Sequence, residues 1–388
     1  MQPQMVPMIR SIKIHGYRGF RDLTLENLGQ INLLVGKNNS GKSSVLEAIQ
    51  LLASGISPDA LLSIIQRRGE QKTPEVIPGR AIQAELDVCH LFYGHELSVG
   101  TSFSVATTND LPGRAIEYKI VEPKPEDNLS LFAAVAAEEG VGPKFAISIS
   151  AAPTNSLLGN PLLAGGQPPL IPLSRSGTVK NEAFQIYYSM ARTASAVSVQ
   201  SVSTESVPWN RLTQLWNDIA LTPAEERVIN VLRSLDPRIE RIAPSTGPQV
   251  YMGAVQRAGF KVKMTDVKEP VPIGSLGDGV WRMLALAVAI SRAKDGLLLV
   301  DDIDTGFHYS VMGNVWNMLS QAANDLNVQV FATTQSSDCI NSLASICHSD
   351  SKAMNRITIQ RIEAQKEVAT RYTENQIVAA ATQQIELR

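Results

Sequence analysis

Over residues 9 to 35, apolar and polar positions alternate in two short runs, SIKIHGY and QINLLV, as they do in sheet strands. The second run leads into GKNNSGKSS. The stretch VLEAIQLLAS then places Val45, Leu46, Ile49, Leu52 and Ala53 at helical spacing. Strand, glycine loop and helix thus follow one another. AIQAELDVCHLFYG and SFSVATT predict further strands, preceded by a polar loop containing Arg67, Arg68, Gly69 and Glu70. Residues 152–180, rich in Pro, Gly and Ser, predict an irregular surface loop. Residues 205–245 change character and predict a helical insertion of two amphipathic stretches. The second of these is capped by Thr222, with Pro223 at the first helical position and Glu225 three residues after the cap. A long helix is then expected from PIGSLGDGVWRMLALAVAISRA and a buried strand from GLLLVDDID. NVWNMLSQAANDL reads as a helix, NVQVFATTQSSD as a strand, RITIQRIEA as an edge strand, and YTENQIVAAATQQIELR as a final helix and strand. The fold class is α/β, with a mixed sheet flanked by helices. Residues 1–150 form an N-terminal lobe and 250–388 a C-terminal one.

Composition narrows the possible chemistry. With 388 residues, 44% of them hydrophobic, the chain can bury one large core or two modest ones. Its 35 Lys plus Arg and 37 Asp plus Glu leave a net charge of -2, so any contact with DNA must come from a local patch. Cys89, Cys339 and Cys347 are scattered without a CxxC, which argues against a disulfide framework or a zinc site and fits a reducing cytoplasm. No apolar run reaches the ~20 residues that span a bilayer, and the N-terminus lacks the apolar core of a signal peptide.

Gly36, Gly41, Lys42 and Ser43 satisfy GxxxxGK[ST] between a strand and a helix, the context that a phosphate loop requires. Backbone N–H groups of residues 38 to 43 (Asn38, Asn39, Ser40, Gly41, Lys42 and Ser43) would wrap the phosphates at the positive helix end, with Ser44 following in the same turn. Lys42 would neutralise the terminal phosphates, and the Ser43 hydroxyl would ligate magnesium. A triphosphate with Mg2+ also needs a carboxylate at the end of a neighbouring buried strand. Asp301 in LLLVDDID fits that need, and Asp302 would face the attacking water. ATP and Mg2+ are therefore the expected ligands.

The order GKNNSGKSS, GSLGDGVWRMLALA, LLLVDDIDTGFH and VFATTQS resembles the ABC-type ATPase heads of the OLD, RecF and SMC families. The resemblance implies a single P-loop NTPase head over residues 1–388, its Walker A motif in the first lobe and its signature, Walker B and switch strand in the second. It also implies an ATP-dependent homodimer or higher even oligomer, in which Ser275 and Gly277 of SLGDG reach the partner's nucleotide. Arg18 of YRGFRDL matches an arginine that the family places close to the nucleotide. Where the family usually carries glutamate and histidine, this chain has Asp302 and Gln335. Aspartate is one methylene shorter, and glutamine cannot carry a proton, so slow turnover is expected.

No stretch sustains heptads as an SMC coiled coil would. After VFATTQSSD about 50 residues remain, fewer than a typical domain such as the Toprim nuclease of OLD proteins. The resemblance therefore narrows to stand-alone OLD-like ATPases, cytoplasmic and often paired with a separate effector such as a Toprim-like nuclease in bacterial antiviral defence. Two alternatives stay open: a nucleotide-sensing scaffold that never hydrolyses ATP, and a RecF-like repair ATPase that binds DNA directly. A membrane role is not expected.

Overall fold

Buried Ile12 and Ile14 alternate with exposed Lys13 and His15 to build strand β1 (Ile12–Tyr17). The computed structural model of the chain describes residues 8–72, 85–108, 114–124, 144–152, 170–174, 177–191, 197–204, 207–245, 259–349 and 356–388. In it β1 belongs to an antiparallel sheet ordered β2 (Phe20–Leu25), β1, β6 (Ser102–Ala106), β7 (Ala115–Val121), β8 (Phe145–Ala152) and β9 (Leu170–Leu173). The central sheet runs β11 (Val199–Val202), β15 (Leu297–Val300), β16 (Gln329–Thr333), β3 (Ile31–Val35), β17 (Ile357–Arg361) and β18 (Thr370–Tyr372). Its first five strands are parallel and β18 is antiparallel, so the sheet is mixed. Two small antiparallel sheets complete the strands: β4 (Gln71–Lys72), β5 (Glu85–Asp87) and β10 (Thr178–Val179), and β12 (Ile239–Pro244), β13 (Phe260–Met264) and β14 (Val271–Pro272).

The helices are α1 (Lys42–Ser54), α2 (Pro58–Arg68), α3 (Asn181–Ala191), α4 (Trp209–Asn217), α5 (Pro223–Arg233), α6 (Asp278–Arg292), α7 (Met312–Asp325), α8 (Ser337–Ser349) and α9 (Glu374–Gln383). At α5 the Thr222 hydroxyl accepts the Ala224 N–H, and the Glu225 carboxylate accepts the Leu221 N–H. β3, β15 and β16 are buried along their whole length, as parallel strands covered on both faces must be. Alternate residues of β15 serve two cores. Leu297 and Leu299 pack with Val45 and Ile49 of α1, whereas Leu298 and Val300 pack with Met283 and Leu284 of α6.

Several expectations are corrected. Arg67 and Arg68 form the last turn of α2, closed by Gly69 in the left-handed region, instead of lying in a loop. Of AIQAELDVCHLFYG only Glu85–Asp87 is strand; two single 3₁₀ turns follow, Cys89–Leu91 and Tyr93–His95, and residues 81–84 lie outside the described residues. β17 is interior because it pairs with both β3 and β18. The final strand precedes the final helix, since β18 comes before α9 and Thr373 and Gln376 form a capping box between them. Residues 153–169 of the expected loop lie outside the described residues, and Leu170–Leu173 and Thr178–Val179 within it are strands.

Candidate nucleotide site

The loop between β3 and α1 owes its shape to two glycines. Gly36 has φ +149°, and a Cβ there would lie 2.4 Å from the Ile362 carbonyl oxygen. At Gly41, φ +92°, a Cβ would lie 2.3 Å from the Phe20 ring. No side chain fits either place. The Lys42 ammonium donates to the Gly36 and Lys37 carbonyls at 2.9 and 3.0 Å. Burial pushes its pKa down, against the opposing pull of Asp302 and Asp301. The Ser40 hydroxyl is buried without a hydrogen-bond partner, and no acidic residue stands in the first turn of α1. An orphaned donor and a positive helix end facing a loop of this shape fit a phosphate group. Asn38 and Asn39 are exposed, whereas Ser44 is buried and its hydroxyl accepts from Arg68 at 3.5 Å.

Strand β15 ends at the carboxylates. The Ser43 hydroxyl donates to Asp301 Oδ1 at 3.0 Å, and Thr333 Oγ1 donates to the same oxygen at 2.6 Å. Thr333 Oγ1 also accepts the Asp302 N–H at 2.8 Å, while Thr334 Oγ1 donates to Asp304 at 2.5 Å. A hydroxyl and a carboxylate brought together beside other acids are the hard oxygen donors that suit Mg2+. Asp302 sits at φ +44°, in the left-handed region. Its carboxylate accepts from Thr204 Oγ1 at 3.4 Å. Burial, and then Asp301 and Asp304, push its pKa up, while Lys42 and Thr204 oppose them.

Sequence reading missed Arg282. From the buried side of α6 its guanidinium donates to the carbonyls of Ser203, of Thr204 at 3.3 Å, of Asp301 at 2.9 Å and of Asp302 at 3.2 Å. Burial lowers its pKa to about 10, against the pull of Asp301, Asp302 and Asp304, so it stays charged at neutral pH. A signal was available, because Arg282 stands among apolar residues on the buried face of its helix.

Arg18, expected beside the nucleotide, is clamped by two carboxylates within the protein. Its Nε lies 2.7 Å from Glu47, and its other two nitrogens take both carboxylate oxygens of Glu70 at 2.6 and 3.0 Å. Glu47, on α1, is also held by Arg68 at 2.8 Å. Ser275 and Gly277 are exposed just before α6, with Gly277 at φ +90°. Gln335 is exposed one residue past Thr334, and its carbonyl accepts from Arg388 at 2.6 Å. The site thus gathers Lys42, Ser43, Asp301 and Asp302, and leaves Ser275, Gly277 and Gln335 facing outward. A cavity of about 410 Å³ between α5, α6 and α7 contains none of these residues. Charge and hydrogen-bonding groups converge at the carboxylates and not in that cavity.

The family model described as AAA ATPase domain matches residues 8–77. The model described as AAA domain, putative AbiEii toxin, Type IV TA system matches residues 232–339. A Helicobacter pylori protein named ATP/GTP phosphatase is 23% identical over 354 residues, covering 87% of this chain and 87% of that protein. The DNA replication and repair protein RecF of Gloeobacter violaceus is 43% identical over 65 residues, 16% of this chain and 17% of its own. Among solved structures, an SMC head bound to the C-winged helix domain of ScpA is similar at TM-score 0.48 and 12% identity, over 95% of this chain and 97% of that one. The two AAA models fall on the segments that bring Lys42 and Asp301 to one place, and over both of them the chain is similar to AAA-type ATPase domains.

Proposed function

We propose that this chain binds ATP with Mg2+ in the loop of residues 36–44, hydrolyses it slowly, and uses the bound state to join two copies of itself. The observation that carries this reading is the 3.0 Å contact between Ser43 and Asp301, residues 258 apart in sequence. Those two oxygens would hold the metal, which when bound supplies positive charge against the phosphates. Lys42 would exchange its two loop carbonyls for phosphate oxygens. Asp302, with its pKa raised, is suited to orient a water and take its proton. Gln335 would hydrogen-bond a phosphate oxygen or that water, without carrying charge. Exposed Ser275 and Gly277, at the positive end of α6, are free to meet the nucleotide of a second copy. Because that nucleotide would contact both surfaces only in the closed pair, it would shift the equilibrium toward closure.

A bacterial defence role with a separate effector, such as a Toprim-like nuclease, is supported by the family resemblance and by the toxin–antitoxin wording of the second matched model. The RecF likeness over 65 residues favours a second reading, direct DNA binding, whose mark would be an affinity that falls steeply with salt. The test is phosphate release with ATP and Mg2+ beside Lys42→Ala and Asp302→Asn, with mass measured in solution. Slow release lost in both variants, with ATP-dependent dimers, supports the proposal. Dimers without release above the Lys42→Ala background would make the chain a nucleotide-sensing scaffold, and monomers under all conditions would remove the dimer.

A further inference from the structure

Away from the nucleotide site, three chemically different ligand types meet at the end of β5. One donor atom each of Asp87, Cys89 and His90 lie within 4.8 Å of one another, the one such group among the described residues. No CxxC marks the place in the sequence, because a single thiol is completed by a carboxylate and an imidazole. His90 Nε2 is 3.6 Å from Asp87 Oδ2, and its other ring nitrogen, Nδ1, is 3.4 Å from His95 Nδ1. Gly94, at φ 81° and ψ −6°, turns the chain back to bring His95 there. The Cys89 N–H donates to Asp87 Oδ1 at 3.1 Å, and the Lys72 ammonium lies 2.9 Å from Asp87 Oδ2.

We propose that Asp87, Cys89 and His90 bind a divalent transition metal of the zinc class. Thiolate and imidazole donors select such an ion over Mg2+, which prefers oxygen alone. A tetrahedral ion with bonds of about 2.0 to 2.3 Å spaces its ligands by about 3.3 to 3.8 Å; Asp87 and His90 already stand 3.6 Å apart, and no pair of the group exceeds 4.8 Å. Side-chain rotation of half-exposed His90 and Cys89 suffices to close the remainder. The Cys89 proton leaves to solvent, and thiolate plus carboxylate then balance the ion's two charges. Lys72 occupies the carboxylate in the metal-free protein and is displaced. With Nε2 on the metal, His90 donates its Nδ1–H to His95, which fixes the tautomer as a supporting partner does in known sites. Three protein ligands leave one position for water or an exogenous ligand. The loop has a further role, because the carbonyls of His90 and Leu91 accept from Arg18, at 3.4 and 3.0 Å. A metal there would stiffen the loop that steadies Arg18 against Glu47 of α1.

The test titrates Co2+ into the chain of 388 residues, stripped of metal and held in excess Mg2+ so that cobalt is excluded from Ser43 and Asp301. One equivalent should bind with a near-ultraviolet thiolate-to-cobalt charge-transfer band, and Zn2+ should abolish the band. Cys89→Ser should lose the band while keeping the thermal melting profile of the parent. His95→Ala should keep the band at an affinity about 10- to 100-fold lower, and Lys72→Ala should bind more tightly. No charge-transfer band in the parent, or a band that survives in Cys89→Ser, would overturn the proposal. This readout is independent of ATP hydrolysis.

Discussion

Replacing Arg282 with methionine keeps the aliphatic stem and removes every donor that this side chain supplies beyond the end of β15. Four carbonyls lose a partner. Those of Ser203 and Thr204 lie near solvent and can recruit water, whereas those of Asp301 and Asp302 lie against the half-buried site. The Asp302 carbonyl keeps the Thr305 N–H at 3.0 Å, so one acceptor left short, offset in part by no longer burying a guanidinium, gives a net loss of about 1–2 kcal/mol. The effect on chemistry follows from Asp302, whose left-handed backbone at φ +44° costs of order 1 kcal/mol or more and persists only while neighbours enforce it. Three bonds do so, from Arg282 and from the Thr305 N–H to its carbonyl and from its own N–H to Thr333. Losing one frees the carboxylate to shift by about 1 Å, a displacement that can cost ~100-fold in rate. Urea unfolding followed by tryptophan fluorescence gives the stability term, and phosphate release at saturating ATP gives the rate. Arg282→Lys should recover part of the stability and little of the rate. A methionine variant within about 0.5 kcal/mol of the parent, releasing phosphate at an unchanged rate, would refute the argument.

Glu47→Gln removes the carboxylate that lies between Arg18 and Arg68, at 2.7 and 2.8 Å. It should cost about 1–3 kcal/mol in urea unfolding because buried Arg18 loses one of its two carboxylate partners while keeping Glu70, and exposed Arg68 loses its own. Asp302→Glu should raise the rate of phosphate release by restoring the missing methylene, and a lower rate would show that the shorter side chain is already matched to this backbone. The raised pKa of Asp302 predicts a pH effect as well. Folded Asp302 holds its proton to higher pH than the unfolded chain does, so between the two pKa values the unfolded state binds fewer protons. Stability from this residue therefore falls as pH rises through the mildly acidic range, and the deficit persists at neutral pH. Asp302→Asn should gain in melting temperature relative to the parent as the buffer moves from acidic to neutral, and a difference that does not grow with pH would contradict the assignment.

The phosphate loop was legible because its geometry is local: Gly36 and Gly41 hold positive φ, and Lys42 and Ser43 follow within the same turn. Asp301 was legible because four apolar residues running into acids can only be a buried strand meeting something charged. Arg282 and Thr333 stand in stretches that were read as a helix and a strand, yet their roles depend on tertiary partners 20 or 31 residues away. The partners of Arg18 were hidden for a related reason. Its motif gives the strand position, whereas its two carboxylates come from α1 and from the residue after the α2 cap, 29 and 52 positions downstream. A charge inside an apolar helical run, as at Glu47 and Arg282, was the signal to follow, since burying such a group is costly unless it has a designated partner.

Those two charges explain how a site on the rim of one sheet is held from both sides. Residues of β3, β15 and β16 alternate between the two cores, Leu34, Leu299 and Phe331 facing one and Leu33, Leu298 and Val330 the other. The sheet is therefore a common wall. From the α1 side Ser43 reaches the Asp301 carboxylate, and from the α6 side Arg282 reaches the Asp301 carbonyl. A partner that presses on the exposed turn of Ser275 and Gly277 would act on the first turns of α6, where Arg282 resides, and Arg282 carries that push to the Asp302 backbone. The phosphate loop, on the opposite face, would be reached only through Asp301. Docking at the turn should therefore alter hydrolysis more than ATP affinity, and Ser275→Arg, which blocks the turn, should lower phosphate release while leaving the affinity of the single chain for a fluorescent ATP analogue unchanged. A parallel loss of affinity would place the turn's influence on the loop itself and break this separation of roles.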